Sequence, residues 1–303
     1  MAPKRAVVFG GAGFLGSHVA DELTRRHYAV TLVDLHESPH RSAGQRMVVG
    51  SVMDRALVDA VVQESDVVFH CAAIADIHEA GANPVRTVEQ NIGGTLNVLE
   101  ACRRSGVERV VFASTIYVYS DQGSFYRVSK QACELLIENY GREFGLRYTI
   151  VRYGSLYGAR ANDFNFIRSA IVQALTEGRI IRKGDGEEVR EYINVVDAAK
   201  ATVDDLSGDV ESRHIIVTGH QGIAVKQLLA MINEMLGNAI SIEYHMGAVK
   251  DHYRLTPYAF RPSPAVRVLP REVHDLGQGL LETIYAIDDE LRSRGQRGDG
   301  FAR

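Results

Sequence analysis

Short apolar runs alternate with amphipathic segments along the first half of the chain. Residues Arg5–Phe9 are mostly apolar and β-branched, and beyond a glycine-rich stretch Leu15, Val19 and Leu23 recur at helical spacing. A second apolar run, Ala29–Val33, follows this helical pattern. The order predicts a strand, a turn at the glycines, a helix and a second strand.

The same alternation continues to about residue 153. Further strands are predicted at Met47–Gly50, Val67–Cys71, Val107–Ala113 and Arg147–Arg152, with helices after Asp54, from Pro84 to about Arg104, and through Tyr126 to Tyr140 with Gly141 near the end. Strands that alternate with helices imply a parallel, doubly wound α/β sheet. Ligands of such sheets bind at the carboxyl ends of the strands.

Gly10, Gly13 and Gly16 follow the first predicted strand and open the first helix. Glycine permits a close approach of the backbone to a pyrophosphate, and the start of a helix offers free N–H groups and the positive end of its dipole. Asp34 closes the second strand about twenty residues later, where a carboxylate accepts hydrogen bonds from ribose hydroxyls and repels a 2′-phosphate. The pattern predicts NAD binding in preference to NADP; the alternative is a plain βαβ turn with a surface Asp.

Tyr126 and Lys130 are four residues apart on a predicted helix, so their side chains share one face. A neighbouring cation lowers the pKa of a phenol, which is about 10 in free tyrosine, and such a pair could remove a proton from an alcohol. Thr115 follows a predicted strand at the edge where ligands bind. By themselves, a Tyr and a Lys at this spacing also arise by chance, and Thr at a strand end also serves turns.

Composition excludes several functional classes. A net charge of −4 gives no basic footprint for nucleic acid. No apolar run approaches the roughly 20 residues of a membrane span, and the basic start at Lys4 and Arg5 leads into a strand, so we expect a cytoplasmic protein without a membrane partner. His36 and His40 have the spacing of a zinc pair, but Pro39 lies between them, and we expect no metal site.

Together these motifs resemble the extended short-chain dehydrogenase/reductase family, in its nucleotide-sugar epimerase and dehydratase branch. The matching positions are Gly10, Gly13 and Gly16; Cys71-Ala72-Ala73; Asn91 with Gly94-Thr95; Ser114-Thr115 with Val118-Tyr119; Tyr126 and Lys130; and Gly184-Asp185-Gly186 through Arg190 to Asp197. The resemblance covers nearly the whole chain. It implies a Rossmann fold with a smaller C-terminal substrate-binding cap.

The resemblance also implies a role for each matched residue. Thr115, Tyr126 and Lys130 would be catalytic, and a nucleoside-diphosphate sugar would contact Thr115, Ser155 and Arg190, with Arg190 at the diphosphate. NAD would be held by Gly10, Gly13, Phe14, Leu15, Gly16, Asp34, Ser51, Val52, Ala72, Ala73, Asn91, Tyr126 and Lys130. The alternative for Arg190 is a surface ion pair with a neighbouring glutamate.

Three departures from the family pattern bear on these roles. Ser51-Val52 stands where many relatives place an acidic residue beside the adenine, and Ser155 stands where the family often has Asn. Ile116 and Tyr117 follow Thr115, where 4,6-dehydratases carry Asp-Glu and the related decarboxylases a Glu. Those reactions need an added acid and base, which this strand end does not supply.

The order of the predicted strands and helices also indicates a domain organisation. Residues 1–158 and 193–218 would form the dinucleotide-binding domain, with the second segment returning to the main sheet. Residues 159–192 and 219–295 would form the cap, and 296–303, rich in glycine and charge, a disordered tail. The family's habit of pairing two helices, here near Pro84–Arg104 and Tyr126–Tyr140, implies a homodimer.

These features favour an NAD-dependent nucleotide-sugar epimerase that acts at C4 through a transient 4-keto sugar. A nucleotide-4-keto-sugar reductase with the same residues is the nearest alternative, and a non-catalytic NAD-binding protein is the next. The residues specify neither the nucleobase nor the sugar.

Overall fold

The computed structural model describes residues 2–207, 211–245, 252–255, 266–268 and 275–295. Within them the strands are β1 (Arg5–Phe9), β2 (Ala29–Asp34), β3 (Arg46–Val49), β4 (Val67–His70), β5 (Arg109–Thr115), β6 (Tyr148–Tyr153), β7 (Ser155–Tyr157), β8 (Arg179–Lys183), β9 (Val189–Asn194), β10 (Arg213–Val217), β11 (Gly222–Ala224), β12 (Ser241–His245) and β13 (Val266–Val268). The helices are α1 (Phe14–Arg25), α2 (Arg55–Gln63), α3 (Ile77–Ala82), α4 (Pro84–Val88), α5 (Gly94–Ser105), α6 (Ser124–Phe144), α7 (Phe166–Glu177), α8 (Val195–Asp204), α9 (Val225–Met235) and α10 (Leu276–Ser293). A π-helical segment, Glu89–Gly93, joins α4 to α5, and 3-10 turns cover Ile116–Tyr119 and Asp205–Ser207.

Among the described residues, the largest sheet has eight strands in the order β13-β10-β6-β5-β4-β1-β2-β3. All of its neighbouring strands are parallel. The chain moves outward from β1 through β2 and β3, and then crosses to β4 on the other side. The carboxyl ends of β1 and β4 therefore form the switch point where an open α/β sheet binds its ligands. The predicted doubly wound parallel sheet is confirmed.

The core of this sheet explains why its central strands are almost wholly apolar. Val7 and Phe9 of β1, Val68 of β4, and Val110 and Phe112 of β5 are all buried in one apolar cluster. The cluster also contains side chains of α2, α5 and α6. Strands covered by helices on both faces have no exposed side, so no alternation of polar residues appears in their sequence.

His70, the last residue of β4, is a polar group within this core. Its ring is 1% exposed and lies 6.2 Å from the ring centre of Phe9 and 5.7 Å from that of Phe112. Its Nε2 is 3.0 Å from the Oγ1 of Thr95, whose hydroxyl donates to the carbonyl of Asn91, so Nε2 carries the hydrogen of this contact. Among the described residues its Nδ1 has no hydrogen-bond partner. Burial lowers the pKa of His70 to about 3, and the ring is neutral.

Helix α6 extends beyond the end predicted near Gly141. It continues to Phe144 and ends at Gly145, whose φ of 69° is left-handed. A Cβ on Gly141 would lie 2.7 Å from Cε1 of Tyr148. Gly141 is therefore a packing position inside the helix, and reading it as a terminator was wrong.

The chain divides into two compact units. The larger contains the described residues of 2–153, 198–217 and 266–268, and the smaller those of 154–197, 218–255 and 275–295. The segment 193–218 was expected to return to the main sheet, but β9, whose end lies in this segment, instead pairs with β7 and β11 in a three-stranded sheet of the smaller unit. Conversely β13, from the segment assigned to the cap, pairs with β10 in the large sheet. Both assignments were wrong because an apolar run identifies a strand without identifying its partner.

The smaller unit has a core of its own. It packs α7, α9 and α10 around side chains that include Ile171, Leu228, Leu229, Leu280 and Ile287. β12 and β8 form a two-stranded parallel sheet in the same unit. The tail expected at 296–303 lies outside the described residues. Every helix in the described ranges is too short or too polar to cross a bilayer.

Candidate active site

The turn between β1 and α1 depends on the absence of side chains at two glycines. Gly10 has a φ of 79°, and a Cβ there would lie 2.7 Å from the backbone N of Ala72. A Cβ on Gly16 would lie 2.1 Å from the carbonyl O of Gly10. The turn therefore packs directly on the start of α1 and on the segment after β4, which brings the predicted Ala72 beside it.

Helix α1 presents its first N–H groups at this turn. Gly13 is its N-cap, and the described residues provide neither a side-chain cap nor an acidic residue in the first turn. The N–H groups of Phe14, Leu15 and Gly16 consequently lack partners within the helix, and together with the helix dipole they suit a phosphate.

Asp34 ends β2 beside the same turn. Its Oδ2 accepts a hydrogen bond from the backbone N–H of Ala12 at 3.0 Å, and its Oδ1 accepts one from Leu35 at 2.7 Å. Two backbone donors hold the carboxylate in one orientation. Each oxygen keeps further acceptor capacity, which suits the hydroxyls of a ribose.

Ser51 and Val52 lie in the turn between β3 and α2. The Ser51 Oγ accepts from the backbone N–H of Met53 at 3.1 Å, and the Val52 carbonyl accepts from Asn97 Nδ2 at 3.0 Å. A Cβ on Gly94 would lie 2.6 Å from Cγ2 of Val52. The turn is thus held tightly against α5, and its contact with an adenine stays a prediction.

Asn91 lies in the π-helical segment and is buried. Its Oδ1 accepts from the backbone N–H of Ile74 at 2.7 Å, and its Nδ2 donates to the Ile74 carbonyl and to Ser129 Oγ at 3.1 and 2.9 Å. These bonds tie the segment that contains Ala72-Ala73 to α6. Because both amide hydrogens are used, a bond from Asn91 to a cofactor would need the remaining lone pair of Oδ1.

The three predicted catalytic side chains meet at the carboxyl end of β5. Thr115 ends the strand, and its hydroxyl hydrogen-bonds to the phenol of Tyr126 in the first turn of α6. The Thr115 Oγ accepts from the backbone N–H of Tyr117 at 3.3 Å. One turn further along α6, Lys130 Nζ donates to the carbonyl of Ala113 at 2.6 Å and lies 5.8 Å from the ring centre of Tyr126.

The electrostatics of Tyr126 differ from the expectation. Burial raises the pKa of the phenol to about 12, and the hydrogen bond with Thr115 acts in the opposite direction. Burial also lowers the pKa of Lys130. The predicted lowering of the phenol pKa by Lys130 was wrong, since the ammonium is directed at the Ala113 carbonyl and desolvation of the phenol dominates.

A buried ion pair behind these side chains was missed from the sequence. Arg152 of β6 and Glu134 of α6 are 2% and 5% exposed, and Arg152 Nη2 is 2.6 Å from Glu134 Oε2. The hydroxyl of Ser114 donates to the same carboxylate. The available signals were the four-residue spacing that places Glu134 after Tyr126 and Lys130, and a lone arginine inside an apolar strand.

The remaining predicted substrate residues belong to the smaller unit. Ser155 begins β7, and its side chain hydrogen-bonds to Tyr253. Arg190 of β9 is 7% exposed, its guanidinium lies 4.0 Å from the ring centre of Tyr253, and its Nη1 donates to the Val189 carbonyl at 2.9 Å. Arg190 is therefore a buried, stacked side chain rather than a surface one.

A cavity of about 220 Å³ lies in the same unit. Its lining includes Phe166, Ile180 and Arg182. The Arg182 guanidinium lies 4.8 Å from the ring centre of Phe166, and among the described residues its buried Nε has no hydrogen-bond partner. An apolar wall with a cation beside it suits a base or a phosphate.

Comparisons with known proteins identify the family of the chain. Residues 6–212 match the model of the NAD dependent epimerase/dehydratase family. The chain is 31% identical over 267 residues to the UDP-N-acetyl-alpha-D-glucosaminuronate decarboxylase of Bacillus cytotoxicus, covering 79% of this chain and 82% of that protein. The solved UDP-glucose 4-epimerase of Thermotoga maritima with UDP-glucose has a TM-score of 0.84 at 25% identity, covering 95% of this chain and 99% of that one.

A second solved relative contains the cofactor. The UDP-glucose 4-epimerase of Thermus thermophilus in complex with NAD has a TM-score of 0.80 at 26% identity, covering 94% of this chain and 99% of that one. The region matched by the family model includes the glycine turn, Asp34, Thr115, Tyr126 and Lys130. The resemblance inferred from the sequence is confirmed, and the chain belongs to the NAD-dependent epimerase/dehydratase family.

Proposed function

We propose that the protein is an NAD-dependent nucleotide-sugar epimerase that acts at C4. The observation that carries the proposal is the meeting of Thr115, Tyr126 and Lys130 at the end of β5. The next residue, Ile116, is buried, and neither it nor Tyr117 can act as a carboxylic acid or carboxylate base. The strand end therefore handles one proton and lacks the added acid and base of dehydration or decarboxylation.

The larger unit fits NAD. Gly10 and Gly16 leave space that a Cβ would fill, the first turn of α1 offers N–H groups to a pyrophosphate, and Asp34 offers acceptors to ribose hydroxyls. We assign the rest of the cofactor site to Gly13, Phe14, Leu15, Ser51, Val52, Ala72, Ala73, Asn91, Tyr126 and Lys130. When bound, NAD supplies a hydride acceptor that becomes the hydride donor later in the same cycle.

Tyr126 carries the proton in this mechanism. As the base, Tyr126 would take the proton of the C4 hydroxyl in its ionised form, which burial disfavours and the Thr115 hydroxyl favours, as C4 is oxidised to a 4-keto carbon. After the sugar has turned, Tyr126 would give the proton back to the oxygen, and reduction of C4 on its other face would yield the epimer. Thr115 donates to the phenol oxygen and so favours its ionised form. Lys130, anchored on the Ala113 carbonyl, would hold the nicotinamide ribose.

The proposed substrate is a sugar activated by a nucleoside diphosphate. Arg190 carries paired donors for phosphate oxygens, and stacking on Tyr253 fixes the plane of its guanidinium. Ser155 and Thr115 offer hydroxyls to the sugar. The relatives named for UDP-linked sugars, among them a structure with UDP-glucose, support UDP as the nucleotide.

The function is tested by incubating the purified protein with UDP-, dTDP-, GDP- and CDP-sugars without added NAD. We expect conversion of one nucleotide sugar to its C4 epimer. Substrate deuterated at C4 should give a product that keeps its deuterium, without accumulation of NADH, because the hydride returns to the same carbon. Loss of the label to external cofactor would instead favour the 4-keto-sugar reductase.

A Tyr126→Phe variant tests the mechanism. Removing the proton acceptor should lower turnover by about 10²–10⁴-fold, while nucleotide-sugar binding persists because the proposed phosphate contact at Arg190 is unchanged. Tyr285→Phe, at an exposed tyrosine of α10, is the control and should keep full activity. Full activity of Tyr126→Phe would contradict the epimerase and the reductase alike.

We also propose a homodimer. Large apolar side chains are exposed on α4, α5 and α6, namely Val85, Val88, Leu96, Val128 and Leu135. Pairing of these helices with those of a second copy would cover them in a four-helix interface. In light scattering at micromolar concentration we expect the wild type to have twice the chain mass of 33.4 kDa. Leu135→Glu should yield monomers, whereas the control Val49→Glu, on β3, should remain a dimer. A wild-type mass of one chain would exclude the dimer.

The cytoplasmic location expected from the sequence stays a prediction.

A further inference from the structure

The buried ion pair behind the proposed catalytic residues has a well-defined geometry. Arg152 Nε lies 3.0 Å from Glu134 Oε1, and Nη2 lies 2.6 Å from Oε2. A fork of this kind restricts both distance and orientation. Buried ion pairs are often no more stabilising than apolar residues of the same size, so fold stability alone gives little reason for this one.

The pair connects α6 to both strands that flank the site. Glu134 belongs to α6 and Arg152 to β6, and the hydroxyl of Ser114 in β5 donates to the same Glu134 carboxylate. Ser114 and Arg152 are opposite each other in the pairing of β5 with β6, and Ser114 directly precedes Thr115. Any sliding of α6 along β5 would break these bonds.

Arg152 also contacts the turn that follows Thr115. Its Nη1 donates to the hydroxyl of Tyr119, and its guanidinium carbon lies 4.7 Å from the centre of that ring. Tyr119 ends the 3-10 turn for which Thr115 is the N-cap, with the Thr115 Oγ accepting from Tyr117. One guanidinium therefore joins the helix that carries Tyr126 to the turn that orients Thr115.

We propose that Glu134 and Arg152 are positioning residues that hold Tyr126 on α6 in register with Thr115 on β5. Glu134 and Arg152 would act on the reaction through Tyr126 and Thr115. The kinetic consequence rests on the proposed epimerase function. Because a displacement of about 1 Å at a reacting group lowers a rate by about 10²-fold, loss of the pair should reduce kcat about 10- to 100-fold with little change in ligand binding.

The charge of Glu134 also acts on Lys130, the second proposed catalytic side chain of α6. Tyr126, Lys130 and Glu134 are four residues apart along α6, so the carboxylate follows the ammonium on one helix face. Burial lowers the pKa of Lys130, and Glu134 is among the groups that oppose this shift. Arg152 balances the carboxylate, so the cluster opposes the lowering of the Lys130 pKa without leaving a buried charge unpaired.

The test uses the double variant Glu134→Leu/Arg152→Met, because removing a single partner would leave a buried charge unpaired and threaten the fold. Asp205→Leu/Arg213→Met is the matched control. It removes the ion pair between Asp205 and Arg213, which also belongs to the larger unit. Asp205 accepts a hydrogen bond from Thr149, near the start of β6, whereas Arg152 lies near the other end of that strand.

We expect both double variants to melt within a few degrees of the wild type. Glu134→Leu/Arg152→Met should lower kcat about 10- to 100-fold, change the KM for nucleotide sugar less than about threefold, and raise the C4-deuterium isotope effect on kcat, because hydride transfer becomes slower. Arg152→Lys, which keeps the charge and loses the fork, should also lower kcat. A kcat within about twofold of the wild type, or an equal loss in the control, would overturn the proposal.

Tyr119→Phe gives an independent test if the double variant does not fold, because it removes only the hydrogen bond between Arg152 and the turn. Its kcat should fall about 3- to 10-fold at an unchanged KM, and an unchanged kcat would count against the positioning role.

A measurement without substrate separates this proposal from the epimerase proposal. 3-Fluorotyrosine placed at position 126 reports the environment of the phenol through its ¹⁹F resonance. The resonance should shift in Glu134→Leu/Arg152→Met and stay in place in the control. If the wild type converts no nucleotide sugar but the resonance shifts, the epimerase proposal fails and the positioning role stands. An unmoved resonance refutes the positioning role.

Discussion

Replacing His70 with glutamine should make the stability of the protein less sensitive to acid. His70 is neutral in the fold, because burial between Phe9 and Phe112 lowers its pKa to about 3. In the unfolded chain the ring takes up a proton below a pKa of about 6.5. The contribution of neutral His70 to the free energy of unfolding is therefore fully present above pH 6.5 and is lost as the pH falls toward 3. Glutamine keeps an N–H for Thr95 but binds no proton.

The magnitude follows from proton binding by the two states. Between pH 7.5 and 5.5 the free energy of unfolding should fall by about 1.4 kcal/mol on account of His70 alone. At pH 5.5 the folded state holds almost no proton on this ring, so the figure is determined by the unfolded chain. His70→Gln should therefore lose about 1.4 kcal/mol less than the wild type over this interval.

Urea unfolding followed by circular dichroism at the two pH values measures the difference. His220→Gln, at an exposed histidine, controls for the removal of a histidine from the chain. If His70→Gln and the wild type lose the same free energy between pH 7.5 and 5.5, then His70 is not buried in its neutral form and the description of the core at the end of β4 is wrong.

Three further predictions concern the candidate site. Thr115→Val removes the donor that lowers the pKa of Tyr126, so the rising limb of the kcat–pH profile should move about one pH unit upward, and an unmoved limb would contradict the hydrogen bond. Gly16→Ala places a Cβ 2.1 Å from the Gly10 carbonyl oxygen, so calorimetry should find NAD affinity lowered at least about tenfold; unchanged affinity would show that the turn can adapt. The wild type should prefer NAD to NADP by at least roughly tenfold, about 1.4 kcal/mol, and Asp34→Asn should reduce that preference; equal affinities of the wild type would refute the role of Asp34.

Local patterns in the sequence predicted the elements that depend on near neighbours. The strand–glycine–helix–strand unit and Asp34 could be located because each is determined within about thirty residues by periodicity and turn chemistry. Thr115, Tyr126 and Lys130 could be grouped because strand ends of a parallel sheet share one edge and residues four apart share a helix face.

Features that depend on distant contacts could not be read in this way. Gly141 does not end α6, because Tyr148 of β6 requires a position without a side chain there. The fork between Glu134 and Arg152 joins two elements whose separation is known only after folding. The direction of the Tyr126 pKa shift depends on burial, which residue spacing does not reveal.

The interrupted course of the larger unit affects how the protein is made. β10 and β13 complete the sheet beside β6, yet the chain supplies them only after long stretches of the smaller unit. During synthesis β6 remains an open edge until β10 has emerged, and an open edge strand can pair with another chain. A fragment that ends after β6 should therefore aggregate rather than fold alone, and the parallel sheet reaches its full width only when most of the chain has been translated.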